Sequence, residues 1–167
     1  MTYPDHSNPP KPENRALISV SLKLLAMRDM SRSQFEQKLA AKEFTREEIA
    51  GAVDWCVAEG WLNEVRYAES MARRLAQKYG ASRVAQTLKQ KGLGEEVIAD
   101  TVAAIKNGEF YRAQQVWSRK FDALPDSAEA RAKQSRYLQS RGFGFAIIRR
   151  VMSGEGAEAE AVAEAGW

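Results

Sequence analysis

Residues of the types that catalysis requires are few in this sequence. The single histidine, His6, lies in a proline-rich N-terminal stretch, so the rest of the chain lacks the commonest general base and zinc ligand. The single cysteine, Cys56, falls on the apolar face of a predicted helix, which favours a buried and unreactive thiol. Acidic pairs fall in the first turns of predicted helices, where carboxylates stabilise the helix dipole; they are Glu47–Glu48 and Glu95–Glu96. We therefore expect no enzyme activity, no metal site and no cofactor.

Basic residues are the better candidates for function, because their side chains bind phosphates and acidic surfaces. Four acids and no base follow Ser153, and without those acids the chain holds 25 Lys and Arg against 18 Asp and Glu. The candidate binding residues are Arg66, Arg73, Arg74, Lys78, Arg83, Lys89, Lys91, Arg131, Lys133, Arg136, Arg141, Arg149 and Arg150. Two interpretations remain open: a band that follows a polyanion, or an ordinary solvated face with ion pairs such as Glu69 with Arg73.

The bases must be positioned by helices, because apolar residues recur at helical spacing along the chain. Patterns typical of β-strands are absent. We predict about nine helices, the first over residues 13–28. Two of them begin at capping-box pairs, Ser31 with Gln34 and Thr45 with Glu48. Glycines that follow the apolar stretches predict the helix ends, because glycine tolerates the left-handed conformation found there.

A repeat of about 50 residues organises these helices. The three copies align on Leu39, Leu88 and Leu138. Three residues further on, each copy has a base: Lys42, Lys91 and Arg141. Large apolar residues follow at the fifth position and isoleucines at the tenth: Phe44, Leu93 and Phe143, then Ile49, Ile98 and Ile148. We interpret the apolar positions as core and the base as part of a turn, which glycine completes in the second and third copies and Glu43 in the first.

The repeat predicts an all-α fold of three tandem three-helix units that form an elongated, curved array. We place the units at residues 14–62, 63–108 and 109–153. Residues 1–13 are predicted to be a disordered tail, and residues 154–167 an acidic tail that is disordered or a fraying helix. Such an array presents a long face, which suits binding along an elongated partner.

The aromatic residues and the apolar runs further limit the function. Aromatic side chains could stack on nucleic-acid bases, but most occur at core-like spacing: Phe35, Phe44, Trp55, Tyr67, Trp117 and Phe143. Tyr111 and Tyr137 remain open. No apolar run approaches the ~20 residues that span a bilayer. With a single cysteine and no secretory signal, we expect a monomeric, cytoplasmic protein that binds no membrane.

Five short motifs, in this order and spacing, resemble the RecX family. They are SRSQFEQKL at 31–39, GWLNEVRYA at 60–68, GASR at 80–83, LKQKGL at 88–93 and LQSRGF at 138–143. The resemblance spans about residues 15–152. The sequence departs from the family pattern at Glu64, where aspartate is common, at Glu43, where glycine is common, and in the acidic tail.

The resemblance implies three tandem three-helix units and a negative regulator of the RecA recombinase. Such a regulator binds in the groove of the RecA–DNA filament and limits filament growth, ATPase activity and strand exchange. It thereby modulates DNA repair, recombination and the SOS response, and it has no catalytic residues. Its partners would be RecA and single-stranded DNA, and double-stranded DNA stays open. The alternatives are a stand-alone DNA- or RNA-binding helical protein, for which the turns between helices could support helix-turn-helix-like units, and a protein scaffold without nucleic acid.

Overall fold

A computed structural model describes residues 8–156 of the chain, and these form nine α-helices without a strand. The predicted all-α class is confirmed. The helices are α1 Arg15–Met27, α2 Arg32–Ala40, α3 Arg46–Ala58, α4 Glu64–Ala76, α5 Ala81–Gln90, α6 Glu95–Lys106, α7 Glu109–Ser118, α8 Ala128–Ser140 and α9 Phe145–Met152.

Side-chain caps begin several helices, as the sequence predicted. Both capping boxes are present, and the Ser31 and Thr45 side chains accept hydrogen bonds from the third backbone N–H of α2 and α3. The first helix begins two residues later than predicted, because the Asn14 side chain caps it by accepting from the N–H groups of Ala16 and Leu17. These caps satisfy backbone donors that have no partner inside the helix.

Left-handed residues mark the ends of helices. Gly60, Gly92 and Gly142 have φ of 74°, 78° and 86°. Glu43 takes the equivalent conformation after α2 with φ of 64°, which a residue with a Cβ adopts at a cost. Glutamate therefore occupies a left-handed position at this turn, and the capping box of α3 begins two residues later at Thr45.

The described residues form two compact units, residues 8–70 with 88–98 (unit 1) and residues 71–87 with 99–156 (unit 2). In unit 1, α1, α2 and α3 pack against one another. Their core holds Leu17, Phe35, Leu39, Val53 and Cys56, each fully buried. The predicted repeat leucine, the predicted aromatic and the predicted buried cysteine therefore meet in one core.

In unit 2, α7, α8 and α9 pack against one another in the same way. Leu138, Phe143 and Ile148, the predicted core positions of the third copy, are buried together with Ala113 and Val116. At the edge of this core, the half-buried Trp117 donates its Nε1–H to Oε1 of the buried Gln134 at 2.7 Å, which satisfies both polar groups.

Inside each unit, a glycine turn packs against the first turn of another helix. In unit 1, the Ser31 hydroxyl donates to the Lys91 carbonyl at 2.8 Å, and a Cβ on Gly92 would lie 2.9 Å from Ser33 Cβ. In unit 2, the Gly80 N–H donates to the Arg141 carbonyl at 2.8 Å. The Lys/Arg-Gly turn of each copy therefore reverses the chain and also contacts the start of a helix in the preceding copy of the repeat.

Residues 8–13 precede α1 as irregular backbone, with the Lys11 ammonium 5.8 Å from the Trp55 ring centroid. The predicted disorder of residues 1–7 and 157–167 lies outside the described residues. Within residues 8–156, every helix is too short or too polar to cross a membrane.

Candidate functional site

The thirteen candidate bases are distributed unequally between the two units. Unit 1 holds Arg66, Lys89 and Lys91, and unit 2 holds the other ten. All are exposed except Lys91 and Arg141, which are half-buried. Exposure alone does not distinguish a binding residue from a solvated one, so the neighbours of each side chain decide which cations are available to a partner.

Arg66 is already neutralised by an acid of its own unit. Its guanidinium lies 2.7 Å from Asp29 Oδ1 and also donates to the carbonyls of Gly60 and Trp61. The hydrogen bond to Asp29 raises the pKa of Arg66 above its ordinary value. This side chain ties the start of α4 to the residues before α2, and we interpret its role as structural.

Arg150 is similarly paired, near the end of α9. Its guanidinium lies 2.9 Å from Glu155 Oε1 and 4.2 Å from the Phe110 ring centroid. Gly156 lies against the same Phe110 ring, because a Cβ added to it would be 3.2 Å from Phe110 Cε1. The first acid after Ser153 therefore neutralises one of the candidate bases.

Exposed cations follow one another along α4 and α8. Arg73, Arg74 and Lys78 lie on and just after α4, whose Ala72 and Ala76 are buried. On α8 the exposed candidates alternate with the buried Gln134 and Leu138; they are Arg131, Lys133 and Arg136. Arg149 is exposed in the last turn of α9. In each helix the apolar face is buried, which leaves these cations in solvent.

Two arginines distant in sequence converge on one aromatic ring in unit 2. The guanidinium carbon of Arg83 lies 4.4 Å from the Tyr79 ring centroid, and that of Arg141 lies 5.7 Å from it. Arg141 also lies 5.2 Å from the Tyr137 ring centroid. Sequence reasoning named both arginines but missed Tyr79, because its position just before Gly80 has no periodic signal.

The arginine–tyrosine cluster (Tyr79, Arg83, Tyr137 and Arg141) stands on the glycine turn of unit 2. Arg83 Nη1 donates to the Ser140 carbonyl at 3.0 Å. A Cβ on Gly142 would lie 2.5 Å from Arg83 Cβ, so the two backbone segments are in direct contact. The cluster is therefore held by the main chain and not by flexible side chains alone.

Most aromatic residues that were predicted to be core are inside. Phe35, Trp55, Tyr67 and Phe143 are buried, while Phe44 and Trp117 are half-buried. Tyr111 is 64% exposed and Phe145 is 79% exposed, so these two rings are open to solvent. The sequence did not decide whether Tyr111 is a core residue, and it gave no signal for Phe145.

The residues considered for catalysis lie in structural positions. Cys56 is fully buried, and burial together with the charge of Glu59 raises the pKa of its thiol to about 11. The Asn14 amide donates to Glu48 Oε1 at 2.7 Å, and this bond, with the Thr45 N–H, lowers the pKa of Glu48. Within residues 8–156, no three His, Cys, Asp or Glu side chains form a group that could hold a metal ion.

Models of three known domains match consecutive segments of the chain. They are described as the first, second and third three-helix domains of RecX, and they match residues 19–56, 63–102 and 108–152. The matches confirm the three tandem three-helix domains that the repeat predicted. The second matched segment contributes residues to both compact units.

Curated relatives named "Regulatory protein RecX" are similar over most of the chain. That of Ralstonia pickettii is 37% identical over 83% of this chain and 87% of its own length. That of Herbaspirillum seropedicae is 40% identical over 80% and 87%. The crystal structure of RecX from Lactobacillus salivarius superposes with a TM-score of 0.75 at 18% identity, over 83% of this chain and 94% of that one.

The fold and the surface define a protein of tandem three-helix domains with exposed arginine and lysine side chains on several helices. The chain belongs to the RecX family of regulatory proteins.

Proposed function

We propose that this protein is a negative regulator of the RecA recombinase. It binds in the groove of the RecA–DNA filament as a monomer and limits filament extension, ATPase activity and strand exchange. In the cytoplasm it thereby modulates DNA repair, recombination and the SOS response. Membership of the family over residues 19–152 is the observation that carries this proposal.

The exposed cations of unit 2 support the proposal that the binding partner is negatively charged. A RecA–DNA filament offers phosphates and acidic side chains together, and clustered Arg and Lys attract both. Arg73 and Arg74 are the pair that we assign to this contact, because they are adjacent and exposed on α4. The apolar repeat positions have a structural role, which leaves the bases between them for binding.

The test is the ATPase activity of RecA on single-stranded DNA with this protein added after the filament has assembled. We expect the full chain to lower the ATPase rate at protein concentrations near that of RecA. The double variant Arg73→Glu, Arg74→Glu should lose most of that effect while keeping its helical circular dichroism and its melting temperature.

A matched control for this variant exists in the same unit. Arg119 and Lys120 are also an adjacent, exposed basic pair, but they lie outside the candidate set. Reversing both to Glu makes the same change in net charge and should leave the inhibition nearly intact. If the full chain has no effect on an assembled filament, the regulatory proposal is wrong; equal losses in both variants would contradict the assignment of Arg73 and Arg74.

A stand-alone nucleic-acid-binding protein is the alternative, and the concentration of exposed arginine in unit 2 favours it over a scaffold. The two proposals differ in which ligand the chain should bind most tightly. A filament regulator should bind RecA–DNA more tightly than bare DNA or RecA alone. A dedicated DNA or RNA binder should bind the bare strand tightly and lose that affinity steeply with salt.

A further inference from the structure

The arginine–tyrosine cluster of unit 2 brings two cations together without an acid between them. Arg83 comes from the first turn of α5, and Arg141 is the C-cap residue that follows α8. Their guanidinium carbons lie 4.4 Å and 5.7 Å from the centroid of the same Tyr79 ring. Two like charges that share a ring repel each other, so their convergence needs a reason.

The backbone holds this convergence in place. The Gly80 N–H donates to the Arg141 carbonyl at 2.8 Å, and Arg83 Nη1 donates to the Ser140 carbonyl at 3.0 Å. A Cβ on Gly80 would lie 2.3 Å from the Gly142 carbonyl oxygen, so only glycine lets the turns approach this closely. The backbone segments that carry the two arginines are therefore held against each other by main-chain contacts.

Unit 2 does not neutralise these two arginines itself. Among its described residues, no carboxylate lies within 4.0 Å of either guanidinium, whereas Arg150 has Glu155 at 2.9 Å. The acid that reaches this turn, Glu109, is buried and accepts the Ala81 N–H at 2.9 Å. The cluster is thus a pair of oriented cations, and an anion from outside would relieve their repulsion.

The chemistry of the pair favours a phosphodiester. A guanidinium over an aromatic ring can still bond phosphate oxygens through its edge N–H groups, and Arg83 uses only Nη1 for the Ser140 carbonyl. Further exposed bases belong to the same unit, among them Lys78 and Arg136. Several exposed cations in one unit fit a strand with successive phosphates better than a single small anion.

We propose that Tyr79, Arg83 and Arg141 form a clamp that binds the phosphodiester backbone of a nucleic-acid strand. Tyr79 orients the two guanidiniums and does not itself contact the phosphate. The inference deepens the proposed function and rests on it, because it assigns the nucleic-acid component of the filament to this surface.

The experiment measures binding of the full chain to a fluorescein-labelled single-stranded oligothymidylate over a series of salt concentrations. On a single strand, each phosphate contact contributes about 0.7 to the slope of log affinity against log salt. The double variant Arg83→Gln, Arg141→Gln should reduce that slope by about 1.4, and weaken binding by about 5-fold for each lost charge near 0.1 M salt.

Two further variants separate charge from folding. Arg83→Lys with Arg141→Lys keeps both charges, so its slope should match that of the unchanged chain even if the turn loosens. Arg119→Gln with Lys120→Gln removes two exposed charges of unit 2 that are not members of the cluster and should change the slope by much less. Melting temperatures of all variants are measured in the same buffers.

An unchanged slope in the glutamine variant would overturn the clamp, as would an equal loss in the lysine variant. Failure of the full chain to bind the oligonucleotide would also overturn it. The RecA ATPase measurement is independent of these results. A chain that inhibits the ATPase but keeps its salt slope in the glutamine variant retains the proposed function and loses only this site.

Discussion

Asn14 and Glu48 connect two helix starts through one charged hydrogen bond. The Asn14 side chain caps α1 and donates to Glu48, whose carboxylate also accepts the Thr45 N–H in the capping box of α3. Both bonds favour the ionised form, which is why the pKa of Glu48 is lowered. The ionised carboxylate therefore stabilises the folded state.

This arrangement predicts how stability depends on pH. A carboxyl group whose pKa is lower in the folded state stabilises the protein above its ordinary pKa, and the stabilisation is lost as the pH falls through the folded value. We expect Glu48→Gln to lower the melting temperature near pH 7 and to flatten its decline in acid. Thermal melts at several pH values test this, with Glu47→Gln as the neighbouring control. Equal acid slopes in the unchanged chain and the Glu48 variant would contradict it.

The Cys56 thiol should be unreactive in the folded protein. At a pKa of about 11, roughly one thiol in a thousand is ionised at pH 8, and the side chain is also fully buried. We expect a disulfide reagent to modify Cys56 slowly in buffer and rapidly in denaturant. Because the chain has one cysteine, the absorbance of the released thiol reports this residue alone. Equal rates in the two conditions would show that the thiol is accessible.

At the scale of elements, the glycine turns explain a difference between the copies of the repeat. Gly92 and Gly142 pack against earlier helix starts, where a Cβ would lie 2.9 Å from Ser33 Cβ and 2.5 Å from Arg83 Cβ. The turn of the first copy is exposed at Glu43, and its backbone hydrogen bonds go to Leu39 and Ala40 of α2. This accounts for Glu43, which needs only the left-handed backbone and not the close approach.

Two glycine substitutions test this packing with opposite expected results. Gly80→Ala places a Cβ 2.3 Å from a backbone oxygen, and such overpacking costs about 1–3 kcal/mol. Gly51→Ala adds a Cβ with nothing within 4 Å inside α3, where alanine is preferred to glycine by about 0.5–1 kcal/mol. Urea unfolding should show a loss of stability in the first variant and a gain in the second. A Gly80 variant as stable as the unchanged chain would mean that the turn has room to move.

At the scale of the whole molecule, the charge is divided between a basic body and an acidic end. The net charge is +3 although residues after Ser153 carry four glutamates and no base. Nucleic-acid binding by the body should be opposed by these acids through space. Glu155 opposes it directly as well, since it is paired with Arg150.

Two truncations separate the general effect from the direct one. Removing residues 157–167 deletes three glutamates and should raise the affinity for single-stranded DNA, more at low salt than at high salt. Removing residues 154–167 also frees Arg150 and should raise both the affinity and the salt slope further. Replacing the three tail glutamates by glutamine controls for length. Affinities that do not change with truncation would exclude an electrostatic role for these acids.

Local features of this protein could be predicted from sequence because they depend on residues close together along the chain. Capping boxes at Ser31 and Thr45 need partners three residues away, and the helix ends need a residue that accepts positive φ. The period of the repeat identified the buried leucines and Ile148 for the same reason, since one helical face must be apolar to be buried.

Which bases are free was decided only by tertiary structure. Arg66 and Arg83 are each the third residue of a helix, yet one pairs with Asp29 and the other shares the Tyr79 ring with Arg141. These partners are 37 and 58 residues away along the chain, and no short-range pattern encodes them. The sequence determined that the bases would lie outside, because the core excludes charge. Packing of the turns determined which of them meet an acid and which meet each other.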